Sequence, residues 1–253
     1  MENIHLEFQK IKSEFQRIKN LGFVENKRPT SKDGGIGNTF EDLLGVKENN
    51  LKDADFMGFE VKSKRIFNES YLSLFTKSPS HPKGANRILK DNFGEVRNED
   101  FPGSKKLYAS IFGNRHSLIY SKFNMKLELD RNNDQLKLVI KDENFNLLNE
   151  DVFWTFESLQ KASAKINKLF VVYADSMIQN GVTQFHYKEA EVFLDFNFEA
   201  FLNFISEGKI MFDIRIGVHK SGKQKGKAHD HGSGFRIKAN DLSGVYKEYL
   251  KLE

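Results

Sequence analysis

Cysteine is missing from all 253 residues. This excludes disulfide staples, thiolate zinc sites and thiol nucleophiles together, so any metal must be held by oxygen or imidazole. Also missing is an apolar run near the roughly 18 residues that a membrane span needs, and the start MENIHLEFQK is polar and amphipathic rather than a secretory leader. A soluble, cytoplasmic protein is expected. Nor is one sign of charge dominant. With 39 Lys and Arg against 35 Asp and Glu, the formal charge is +4, too mild to name a partner, so what matters is where positive charge gathers.

What is present suits a globular chain of one large domain or two lobes: 39% of residues are hydrophobic and 24 are Phe. Ile4, Phe8, Ile11, Phe15 and Ile18 recur at helical spacing with Gly22 as C-cap, predicting an opening helix. The glycine-rich stretch RPTSKDGGIGNTFEDLL predicts a loop entering a short helix capped by Asn38 or Thr39, with Glu41 in its first turn. FEVKS and YLSLFTK read as strands, NRILKDNF as a helix, and residues 92 to 106 as an irregular loop. From 107 to 141 alternation predicts three strands, the last two joined by the turn RNND. A helix at TFESLQKASAKI, strands at KLFVVYADS and FHYKEAEVFLDF, a helix closing at Gly208 and a strand KIMFDIRIGVH follow. The loop KSGKQKGKAHDHGSG, the strand FRIK and a final helix near LSGVYKEYL complete the pattern. Mixed order of this kind predicts an α/β or α+β fold around one central sheet flanked by helices.

In DADFMGFEVKSK, an extended GFEVKSK puts Glu60 and Lys62 on one face and Val61 in the core. Asp55 at the strand entrance adds a second carboxylate. Two such oxygens and a main-chain carbonyl, that of Val61, suit Mg²⁺, and phosphodiester hydrolysis needs the activated water and charge neutralisation that such an ion provides. Lys62 could orient that water or steady the developing charge. An exposed strand in a chain that is 29% charged explains the same E-x-K pattern. Glu41 is open in the same way, since an acid in a first helical turn also complements the helix dipole.

Positive charge gathers between Arg215 and Lys238, where seven residues are Lys or Arg and Asp230 is the sole acid. Arg215 and Arg236, on strands flanking the loop, are placed to fork onto guanine O6 and N7, while Lys220, Lys223, Lys225 and Lys227 would grip phosphates. His229, Asp230 and His231 offer donors and an acceptor for base edges. Zinc is the competing reading of that run, weakened by the lack of an outside ligand. Lys77, His81 and Lys83 in TKSPSHPKGAN would hold a DNA backbone.

The segments GGIGNTFEDLLGVKENNL, DADFMGFEVKS, LSLFTKSP, PKGAN, VFWTFESLQ and DIRIGVHKSGKQKGKAHDHGSGFRI together resemble the MvaI/BcnI type II restriction endonucleases, related in fold to the mismatch-repair enzyme MutH. The resemblance implies a PD-(D/E)XK nuclease fold with two lobes around a DNA cleft, a catalytic one over residues 1–195 and a recognition one over 196–253. It assigns Asp55, Glu60 and Lys62 to the catalytic core and Glu41 to an accessory acid. Asp213, Arg215, His229, Asp230, His231 and Arg236 fall in the base-reading region. Ala54 stands where the motif has proline, a change of backbone stiffness rather than chemistry. The family is similar in reading CC-N-GG sites, and Thr76 with the HDHG run looks like the MvaI branch, which has A or T at the centre. Also implied are Mg²⁺ as cofactor, Mn²⁺ as substitute, Ca²⁺ supporting binding only, a cognate DNA methyltransferase in the same cell, and a monomer that nicks the two strands of double-stranded DNA in turn. A catalytically inactive DNA-binding protein and a MutH-like nicking enzyme are the alternatives.

Overall fold

The computed structural model describes residues 2–28, 35–46, 55–66, 71–96, 101 and 103–252. Ala54 and parts of the glycine-rich stretch, of the connection after Val46 and of the 92 to 106 loop lie outside these. Contacts divide the chain into two compact units. One gathers Met1–Ser70, Lys165–Phe196 and Tyr246–Glu253, and the other gathers Tyr71–Ala164 and Asn197–Val245. Both units therefore draw on residues before and after position 195.

The first unit is built on a five-stranded sheet. Lys168–Gln179 lies at its centre, which is why LFVVY is a continuous apolar run rather than an alternating one. It pairs in parallel with Glu60–Arg65 and antiparallel with Val182–Phe196. Val182–Phe196 also takes Val24–Glu25 and Tyr246–Leu252, both antiparallel. The predicted opening helix spans Glu2–Lys19, and its Ile11, Phe15 and Ile18 are fully buried. Gly22, at φ 69°, ends its exit turn. Those residues join Phe40, Phe59, Val61, Phe170 and Tyr187 in one core.

The second unit holds two sheets. A six-stranded one runs Tyr71–Thr76, Gly234–Lys238, Ile210–Val218, Lys105–Ile111 and Glu95–Val96, with Ala228–Asp230 also on Ile210–Val218. A four-stranded antiparallel one joins Ser117–Ile119, Phe123–Asp130, Gln135–Lys141 and Leu147–Thr155. Thr155 caps the helix Phe156–Ser163 by accepting from the Ser158 amide, and Asn197 caps Phe198–Ser206 by accepting from that of Ala200. Buried Trp154, Phe212 and Phe235 meet edge to face or tilted and fill its core.

Three sequence expectations change. The fold is mixed α+β, with three sheets among the described residues rather than one central sheet. The final helix is instead a 3-10 segment Ala239–Val245 followed by the strand Tyr246–Leu252. Its tyrosines satisfy helical spacing, but Tyr246 and Tyr249 both pack on Phe193 of the paired strand, and that pairing prevails over local periodicity. The short helix begins by Gly35, so Asn38 and Thr39 lie inside it, and Glu41 stands beyond its first turn.

Candidate active site and DNA-reading surface

The two candidate carboxylates are brought together by a turn. Phe56 and Phe59 exchange both main-chain hydrogen bonds, at 3.0 and 2.8 Å, around Met57 and Gly58, whose φ values are 50° and 79°. Left-handed conformation at both central residues is the two-residue type I′ hairpin. Asp55 is thereby folded back alongside Glu60, and its Oδ2 accepts from the Val61 amide at 3.0 Å.

Glu60 is 6% exposed, and its Oε1 accepts from Lys62 Nζ at 2.9 Å and from Lys165 Nζ at 3.0 Å. Burial pushes the Glu60 carboxyl up, but the two ammonium groups outweigh it and hold it below its ordinary value. Asp55 moves the other way: burial raises it, the Glu60 charge adds to that, and the Val61 hydrogen bond and the lysines only partly offset the rise. A partly buried acid beside a second carboxylate whose charge raises it fits a divalent cation, which would favour the charged form of both. Val61 is buried in the core, as alternation requires.

Glu41 sits on the helix that packs against the Glu60–Arg65 strand. Its charge, secondary to burial, helps to raise the Tyr187 hydroxyl, which donates to the Ile36 carbonyl. Among the described residues no three His, Asp or Glu converge as a metal cluster. The position past the first turn also removes the helix-dipole reading.

In the second unit, register puts the base-reading candidates on one sheet face. Arg236 is opposite Met211, Ser110 opposite Asp213, Tyr108 opposite Arg215, and His229 opposite Gly217. Directly opposed residues share a face, so Asp213, Arg215, Tyr108, His229 and Arg236 all stand on it, away from core residues Phe212, Ile214 and Ile216. Asp213 is the buried post of this surface. Its Oδ2 accepts from Arg215 Nε at 2.6 Å and forms an ion pair at 2.7 Å with Arg236 Nε, while its Oδ1 accepts from Ser110 at 3.4 Å. Arg236 is further fixed by donating to Ser73 Oγ at 2.7 Å. The Arg215 side chain is half exposed.

His231 continues the same row, its amide donating to the Arg215 carbonyl at 2.8 Å. Gly217 leaves room for it: a Cβ there would lie 3.2 Å from His231 Nε2 and 3.1 Å from the Tyr108 hydroxyl. His229 packs on both His231 and His219, with ring centroids 4.3 and 3.9 Å apart. Burial first, then the charge of His229, lowers the His231 pKa. Asp230 faces the opposite way, paired with Ile216. Its Oδ1 accepts from the Gly232 and Ser233 amides, and its Oδ2 from Asn86 Nδ2 at 2.5 Å. As placed, it shapes the turn beneath the row instead of joining the row.

The stretch predicted as one long loop contains the strand Ala228–Asp230, and main-chain hydrogen bonds tie its tip. His219 and Gly226 amides donate to the Lys227 and His219 carbonyls, and those of Lys225 and Lys227 to Gly222 and Gln224. Lys220, Lys223, Lys225 and Lys227 are all exposed around it. Thr76 is exposed at the end of its strand, paired with Gly234. Lys83 is exposed, Lys77 is half-buried with its carbonyl accepting from Trp154 Nε1, and His81 stacks on Phe153.

Sequence reading missed Lys165, Ser73, Ser110, Tyr108, His219 and Asn86. Strand register brings in Ser73, Ser110 and Tyr108, a 3-10 turn, a helix and a strand exit bring in Lys165, Asn86 and His219, and no local spacing marks any of them.

The sequence profile of the MvaI/BcnI restriction endonuclease family matches residues 12–246. A solved complex of restriction endonuclease MvaI with its cognate DNA substrate matches at TM-score 0.88 and 35% identity, over 97% of this chain and 98% of that one. MvaI in the absence of DNA matches at 0.64 and 34%, over 98% of both chains. The comparison with curated proteins gave no match. A profile spanning nearly the whole chain, joined to that structural likeness, places it: the chain belongs to the MvaI/BcnI restriction endonuclease family and is a type II site-specific deoxyribonuclease.

Proposed function

We infer that this enzyme cleaves double-stranded DNA at CC(A/T)GG with Mg²⁺, working as a monomer that nicks one strand and then the other. The observation that carries the chemistry is the type I′ hairpin that sets Asp55 beside Glu60 and Lys62. Asp55, Glu60 and the Val61 carbonyl would hold the divalent ion, which when bound supplies charge neutralisation and an acidified water. Mn²⁺ would substitute, and Ca²⁺ would support binding alone. Lys62 then serves the attacking water, and Glu41 stays a candidate accessory acid through its helix.

On the reading surface, Arg215 and Arg236 fork onto guanine edges, oriented by Asp213, and His229 and His231 supply further donors. The exposed lysines of the 220–227 tip, with Lys77 and Lys83, hold phosphates without reading sequence. Thr76 and His231 set the choice at the central pair. Asp230 contributes by holding the turn. Catalysis thus belongs to the stretch around residues 35–65, within 1–195, and recognition chiefly to 196–253, although each compact unit crosses that division. A cognate methyltransferase in the same cell would protect its own sites.

Digesting plasmid DNA with the purified protein and Mg²⁺, then sequencing the ends, tests this. Discrete fragments ending at CC(A/T)GG are expected; fragments at another site overturn the specificity, and nicked circles alone favour a MutH-like enzyme. Lys62→Ala should abolish cutting yet keep the cognate gel shift in Ca²⁺. Loss of both would make Lys62 a binding residue instead.

A further inference from the structure

Lys165 reaches the catalytic carboxylate from a distant part of the chain. The Glu60–Arg65 and Lys168–Gln179 strands run parallel with Leu169 opposite Glu60, so the residues that lead into the second strand arrive at the Glu60 end. Lys165 lies there, in the 3-10 turn Ala164–Ile166.

An exposed lysine beside a carboxylate is usually an inconsequential surface pair. This one differs in two respects. Its partner is buried, with a Glu60 side chain 8% exposed against 38% for Lys165. Its backbone is also anchored, for Ile166 is fully buried and its carbonyl accepts from the Tyr246 hydroxyl at 2.8 Å. The Lys165 charge acts on Asp55 as well as on Glu60.

We propose that Lys165 is a second active-site lysine, which competes with the divalent cation for Glu60 Oε1 and faces the scissile phosphate when that oxygen is taken. The proposal rests on the nuclease reading above. Oε1 already accepts from two ammonium groups, and one carboxylate oxygen cannot keep both and also bind a metal. The charge count gives the displaced lysine its use. Asp55 and Glu60 balance Lys62 and Lys165, a divalent ion adds two positive charges, and hydroxide attack on a phosphodiester gives a pentacovalent species with two negative charges. The site with both lysines is neutral at that point. Without Lys165 it is one positive charge short where the barrier is highest.

The test uses the full chain and two readouts. Mn²⁺ binding is measured by calorimetry without DNA, and single-turnover cutting on an oligonucleotide duplex whose site is set by the wild-type digest. Lys165→Met should bind Mn²⁺ about fivefold tighter, having lost a competing cation, yet cut about tenfold or more slowly. Lys165→Arg should restore cutting to within about threefold of wild type. Cutting by Lys165→Met at the wild-type rate overturns the proposal. So does slower cutting with weaker Mn²⁺ binding, which would make Lys165 only a structural prop for Glu60. Should the wild type cut no DNA, the nuclease reading fails on its own account, and unchanged or weaker Mn²⁺ binding by Lys165→Met still refutes the competition.

Discussion

At the scale of residues, the candidate sites are governed by which carboxylate keeps which cation. Asp213 holds two arginines, and Arg236 is the more enclosed of them. Asp213→Ala should therefore leave a buried guanidinium uncompensated and cost about 3 kcal/mol in urea unfolding, with selectivity at guanine lost as well. A loss confined to selectivity would show that the post orients without stabilising. Glu60 gives a pH signature. Its carboxyl is held below its ordinary 4.5, so its contribution to stability is full above that pH and disappears as pH falls through the lowered folded value. Asp55 is raised above 3.8 and has the opposite slope, losing stability as pH rises toward its folded value. Glu60→Gln should flatten the acid side of the unfolding profile, and an unchanged profile would refute the pairing. Glu60, Lys62 and Val61 were legible because period-two alternation fixes their faces. Adjacency in HDH hides that Asp230, the middle residue of three on a strand, faces the other way from His229 and His231. Lys165 carries no local signal, since what links it to Glu60 is the register of a parallel pair formed far apart in sequence.

At the scale of elements, one two-residue turn determines whether the two candidate carboxylates meet. Gly58 at φ 79° occupies backbone space that a β-branched residue enters only with strain. Gly58→Val should lower cleavage at least tenfold while thermal stability falls by no more than about 2 kcal/mol, because Asp55 is displaced while the sheet behind it remains. Full activity would mean that Asp55 needs no such placement. The Met57–Gly58 pair was open to being read as a hairpin from sequence, yet it is flanked by Phe56 and Phe59, which look like one continuous apolar strand. The C-terminal strand was hidden for a related reason: Tyr246, Tyr249 and Leu250 satisfy helical spacing, and only the rings of the paired strand decide otherwise. The opening helix and the RNND hairpin were legible because their periodicity and turn residues are local.

At the scale of the whole molecule, the chain leaves and re-enters each compact unit, so a functional division along the sequence is not a physical one. The sheet that carries Glu60 needs Tyr246–Leu252 against Val182–Phe196, across the entire excursion Asn197–Val245. A fragment of residues 1–195 should thus fail to unfold cooperatively by circular dichroism, having lost Tyr246 from its core and exposed a long strand edge. A cooperative transition in that fragment would contradict the partition. Sequence reading expected two functional regions but not this interleaving, because no linker-like composition marks the crossings. The same pairing bears on the order of events in time. Contacts between remote segments carry a large loop-closure entropy, and the Tyr246 hydroxyl fastens the Ile166 turn only once its strand has docked. The turn that carries Lys165 is therefore completed only when the C-terminal strand is in place, and a chain that stops short of it leaves that turn unfastened beside Glu60.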